Sequence, residues 1–183
     1  MGRGGATDGR WHEVIIRLHW LGAFLILAAL ATGWSAEHLV ARENQDLLLE
    51  IHFSLGILAL AVMLARVAFR LIHPRPDRSQ QPLAARTAAS SVHFLLYLVT
   101  FGVLLSGLIN FLFLGPVRLF GFVTVPRLFD PEADEWLRAL SWYVHVYGWW
   151  ALAGLVLLHA AAACFHHFVS RDRTLRDFLP RRR

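Results

Sequence analysis

The chain has 183 residues, 56% of them hydrophobic and only 17% charged, with a formal net charge of +5. A mean hydropathy of +0.47 argues against a water-soluble domain and makes membrane lipid the expected surroundings. The basic balance does not point to nucleic acid, because the arginines flank apolar runs and do not gather on a polar face.

In chain order, residues 1–10 are glycine-rich and polar and read as a frayed tail. Charges then bound four apolar segments, at about 18–36, 51–71, 90–113 and 139–168. A span needs about 20 apolar residues, so each segment predicts one transmembrane helix. Together they predict an all-α, up-down four-helix bundle, a single membrane domain over 1–183. The first segment is long for a cleaved signal peptide and carries a histidine used below. Residues 73–82, His-Pro-Arg-Pro-Asp-Arg-Ser-Gln-Gln-Pro, form a link that cannot continue a helix. The connection from Gly115 to about Arg138 holds Pro116, Pro126 and Pro131; it reads as a surface loop with Phe120, Phe122 and Phe129 at the interface. No internal repeat is evident. The seven tryptophans mostly fall near span ends, as interfacial anchors do.

All 18 basic residues are arginine. Fourteen lie in the N-terminal segment, the stretch from Arg66 to Arg86 and the C-terminal tail; the opposite loops hold Arg42, Arg118, Arg127, Arg138 and eight of the 13 acids. Cationic loops stay in the cytoplasm, so both termini are predicted there. The single cysteine, Cys164, excludes an internal disulfide and a thiolate-held iron–sulfur cluster.

Ten histidines in so apolar a chain carry the functional signal. His145 and His159, fourteen positions apart in a run of 32 uncharged residues, fall on nearly one helix face about 21 Å apart along the axis. His52 opens the second span on the outer side, level with His145. On the inner side His19, His93, His159 and His166 compete, and spacing alone does not choose among them. Zinc, copper or non-haem iron wants three or four converging ligands, often with carboxylate help, and no acid lies within the spans. Haem iron needs only two imidazoles, one on each face of an apolar disc that small residues such as Gly56, Gly107, Ala153 and Gly154 leave room for. With both positions filled, electron transfer is expected and oxygen binding is not.

Several segments then carry a family resemblance: Leu18-His19-Trp20-Leu21, Ile51-His52-Phe53-Ser54-Leu55-Gly56-Ile57, Arg66-Val67-Ala68-Phe69-Arg70-Leu71, and Leu158-His159 through His166-His167 with the following Arg171-Asp172-Arg173-Thr174-Leu175. From about residue 12 onward the chain resembles the bacterial cytochrome b561 family, four-helix proteins of the inner membrane that bind two b-type haems. The resemblance implies axial pairs His19 with His159 and His52 with His145. Similarity to the small stand-alone members implies oxidation of superoxide at the outer face and reduction of ubiquinone in the bilayer. Arg118, Arg127 and Arg138 are candidates for steering the superoxide anion. Near a quinone, His93, His166 or His167 are candidates to supply protons, and Arg66 or Arg70 to hold a carbonyl.

Two other readings compete. One is a cytochrome b anchor subunit relaying electrons between quinone and a soluble hydrogenase or dehydrogenase; the other is a colourless transporter or scaffold whose histidines handle protons or zinc.

Overall fold

A computed structural model describes residues 11–73, 83–172 and 175–179. The expected frayed tail at 1–10 and nearly all of the proline-rich link lie outside the described residues. Four long helices dominate: α1 (Glu13–His38), α2 (Gln45–Ile72), α3 (Leu83–Phe113) and α4 (Glu135–Phe168). Each is long and apolar enough to cross a membrane, and together they form a four-helix membrane bundle. Phe24 (66% exposed) and Leu157 (72%) face outward at mid-helix, an arrangement that suits hydrocarbon and not water.

The ends of the helices follow from local chemistry. At the start of α1 the His12 imidazole accepts from the Val14 N–H, and Glu13 pairs with Arg17 one turn on at 2.7 Å. After His38 a 3-10 turn at Arg42–Asn44 leads straight into α2, and the Gln45 side-chain amide donates to Ala36 O at 2.7 Å. α2 stops just before Pro74, and α3 begins right after Pro82. Each helix exceeds its expected span; α3 starts seven residues before position 90.

The Gly115–Arg138 connection is more ordered than a surface loop. It contains two short antiparallel strands, β1 (Val117–Leu119) and β2 (Val123–Val125), with Val117 opposite Val125. The turn between them runs through positive φ at Phe120 (53°) and Gly121 (78°), the handedness tight hairpins favour. The hairpin docks on α2: Leu119 is buried, the Phe120 N–H donates to Ser54 Oγ at 2.9 Å, and Arg118 lies 4.0 Å from Glu50. Phe129 packs on Phe113 and is half-buried.

α1 packs chiefly on α2 and α3 on α4, giving two antiparallel helical hairpins that face each other. One end of the bundle carries the α1–α2 turn and the β-hairpin; it is called the hairpin end below. The other, the terminal end, gathers the start of α1 and the close of α4. There the segment Leu175–Leu179 folds back: the Trp20 indole donates to Phe178 O at 2.7 Å, and the Phe178 ring stands 5.8 Å from Trp11 and 5.3 Å from His19.

Candidate functional site

Between the two helical hairpins lie two cavities, each of about 660 Å³ counting space open at the bundle surface. The first, towards the hairpin end, is lined by His52, Phe53, Gly56, Phe111, His145 and Trp149 among others. The second, towards the terminal end, is lined by His19, Met63, Arg66, His93, Tyr97 and His159 among others. Among the described residues no group of three or more His, Cys, Asp or Glu side chains could hold a bare metal ion.

At the hairpin end, the His52 and His145 ring centroids are 5.9 Å apart with planes 81° to one another. Each ring is held by the other helix of its own helical hairpin. His52 Nδ1 lies 2.9 Å from Ala29 O, and His145 Nδ1 lies 2.9 Å from Val103 O. A carbonyl only accepts, so Nδ1 carries the proton in each ring and Nε2 keeps its lone pair. A glycine lies against each ring: a Cβ at Gly33 would stand 2.9 Å from His52 Cε1, and one at Gly107 2.7 Å from His145 Cε1. The same two carbonyls also accept a hydroxyl, Thr32 Oγ1 at 3.1 Å on Ala29 O and Ser106 Oγ at 3.0 Å on Val103 O.

The match between halves extends further. Thr32-Gly33 and His19 on α1 recur 74 positions later as Ser106-Gly107 and His93 on α3. On α2 and α4 the offset is 93, relating His52 to His145 and Arg66 to His159. The two helical hairpins are therefore one design used twice, although no repeat is evident in the sequence. A signal was present: each hydroxyl–glycine pair follows a histidine by thirteen positions.

The terminal end breaks the match, because Arg66 stands where His159 would be repeated. The His159 ring lies 6.2 Å from His19 and 5.5 Å from His93, so three imidazoles gather there. His166 does not line this cavity; its Nδ1 lies 2.6 Å from Asp172 Oδ2 at the end of α4. Trp149 departs from the anchoring expectation, since its indole donates to Leu30 O at 3.2 Å within the bundle. Of the four small residues expected to make room, Gly107 does so for a histidine ring and Gly56 lines the first cavity, while nothing lies within 4 Å of a Cβ at Gly154.

The family model for prokaryotic cytochrome b561 matches residues 10–181. The chain belongs to the prokaryotic cytochrome b561 family. It is similar to cytochrome b561 homolog 2 of Escherichia coli (strain K12), 31% identical over 94% of this chain and 93% of that protein. Cytochrome b561 homolog 1 of the same organism is 28% identical over 95% of this chain and 99% of its own length. The probable superoxide oxidase CybB of Yersinia pestis is 27% identical, covering 92% and 94%. This b561 protein is thus a multi-pass membrane protein of electron transfer, in a family that binds haem b.

The donor set fits that group. The paired rings, 5.9 Å apart between centres at the hairpin end and 6.2 Å at the terminal end, would hold the metal of such a group between them through bonds of about 2.0–2.1 Å. At the hairpin end the carbonyl-held Nδ1–H fixes the ring orientation and leaves Nε2 as the donor, the usual outer support of a ligating imidazole. Each cavity combines a mostly apolar lining with imidazoles that converge on it.

Proposed function

We propose that this b561 protein is a self-contained two-haem oxidoreductase of the bacterial inner membrane, with both termini cytoplasmic, that takes electrons from superoxide at the hairpin end and delivers them to ubiquinone. The observation that carries the reading is the recurrence of a 6 Å imidazole pair at two depths of one bundle. In this assignment His52 and His145 hold one haem b, and His19 and His159 the other. Haem b supplies a one-electron centre at each depth when bound.

The chain does the rest. Ala29 O and Val103 O accept hydrogen bonds from the Nδ1–H groups, lock both hairpin-end rings and strengthen Nε2 as a donor. Phe53, Phe111 and Leu152 line the first cavity with apolar surface and keep water from it. Two imidazoles at each level would fill both open positions of a haem iron, in keeping with electron transfer and not oxygen binding. Along α4 the histidines at the two levels are separated by about 21 Å, most of a bilayer core. Arg118, Arg127 and Arg138 are exposed at the hairpin end, where cationic side chains raise the local concentration of a small anion. The reaction balances as two superoxide anions losing one electron each to give dioxygen, and one quinone taking both electrons and two protons to give quinol. The printed description of the Yersinia relative supports the choice of donor.

The test is purified haem-loaded protein under a steady superoxide flux with a soluble ubiquinone analogue. One quinol per two superoxide consumed, lost in His52→Ala, is the expected result. Superoxide decay at the spontaneous dismutation rate, with a stoichiometric soluble redox subunit co-purifying, contradicts it and favours an anchor role.

A further inference from the structure

Arg66 lies six residues before the terminal end of α2, and its Nε is buried without a hydrogen-bond partner; the same is true of Tyr97 Oη. Both residues line the terminal-end cavity together with His19 and His159. The Arg66 guanidinium lies over the Tyr97 ring at 5.3 Å, and Arg70, one turn nearer the terminal end, lies 5.7 Å from the same ring and 5.2 Å from Trp11. Among the described residues the ion pairs join Arg17 to Glu13, Arg118 to Glu50 and His166 to Asp172, and none takes up Arg66 or Arg70. A charge held at membrane depth is costly unless an opposite charge meets it. Two such charges on adjacent turns, with a phenol hydroxyl beside them, call for an anion.

We propose that Arg66 and Tyr97, accompanied by Arg70, bind a carboxylate side chain of the macrocycle seated at the terminal-end histidines. This rests on the two-haem reading above. Haem b carries two propionates, and a guanidinium meets a carboxylate with charge-assisted hydrogen bonds through a fork that lysine lacks. A quinone carbonyl is the other candidate for Arg66, but a neutral carbonyl needs one donor and leaves both charges uncompensated. The break in the internal repeat acquires a reason: where the first helical hairpin carries Arg66, the second carries the ligand His159, so one site has an imidazole and a counter-charge at the same depth.

The experiment is redox titration of full-length protein produced with haem b or with its dimethyl ester, for the wild type, Arg66→Gln, Arg66→Lys and Tyr97→Phe. The hairpin-end haem serves as internal control for folding. With haem b, Arg66→Gln is expected to lower the reduction equilibrium constant of the terminal-end haem about tenfold, about 59 mV for one electron. Arg66→Lys keeps part of the effect, Tyr97→Phe gives a smaller shift of the same sign, and Arg66→Gln weakens retention of the terminal-end haem about tenfold for haem b but not for its ester. A loss of retention equal for haem and ester overturns the proposal, as does an unchanged potential with a raised KM for quinone. If Arg66→Gln loses both haems, Tyr97→Phe and Arg66→Lys carry the same comparison. Absence of a terminal-end haem from the wild type would instead defeat the two-haem reading itself.

Discussion

At the residue scale, the hairpin-end site depends on what is missing from two side chains. A methyl group at Gly33 or Gly107 would press within 3 Å of the His52 or His145 ring, and the crowded atom is a ring held by a carbonyl, not the tip of a flexible chain. Gly33→Ala and Gly107→Ala should each cost about 1–3 kcal/mol and release the hairpin-end haem at lower temperature, while Gly154→Ala, with open space around it, should change neither. Haem content and the thermal loss of Soret absorbance read both effects. His52 and His145 stand out in the sequence, because an imidazole in an apolar run is conspicuous by composition. Gly33 and Thr32 do not: their importance lies in an approach between helices that no local pattern encodes. Arg66 is visible as an intramembrane charge, yet its lack of a partner emerges only when α2, α3 and α4 come together around it.

At the scale of elements, the helices are legible because charged residues bound each apolar run, and their extra turns are not. α3 begins at Leu83 through Ala84, Ala85, Ala88 and Ala89, residues that favour helix without being hydrophobic enough to mark a span. The β-hairpin is the larger omission. Three-residue strands with a phenylalanine at positive φ give almost no periodic signal, and the hairpin is held by a distant group, the Ser54 hydroxyl on α2. Ser54→Ala leaves the Phe120 N–H without that acceptor, so it should destabilise the hairpin by about 1–3 kcal/mol and speed proteolysis within 117–125 while both haems remain. The hairpin also presents Arg118, partly offset by Glu50 at 4.0 Å. Replacing Arg118, Arg127 and Arg138 together by Gln should slow superoxide consumption about tenfold at low salt and flatten its dependence on ionic strength; an unchanged rate would remove the steering role.

At the scale of the whole molecule, two helical hairpins sharing one pattern enclose two cavities. The symmetry is hidden in the sequence because the offsets differ, 74 between α1 and α3 and 93 between α2 and α4. The longer α3–α4 connection takes up the difference. Apart from the positions that hold or crowd an imidazole, few residues match at these offsets, Leu30 with Leu104 and Leu64 with Leu157 among them, so the resemblance rests on chemistry more than on overall identity. The proposed orientation, with the terminal end in the cytoplasm, rests on the distribution of arginine. Alkaline phosphatase fused after Arg183 should therefore be inactive in cells, whereas insertion after Glu132 should give an active enzyme; the reverse pattern would invert the proposed topology.

Haem content per polypeptide, with a dithionite-reduced minus oxidised spectrum, shows most directly whether two imidazole pairs at two depths hold two haems. About two b haems are expected in the wild type and in His93→Ala, and one in each of His52→Ala, His145→Ala, His19→Ala and His159→Ala. A folded wild type with fewer than two haems, or ligand variants that keep both, would contradict the two-haem assignment.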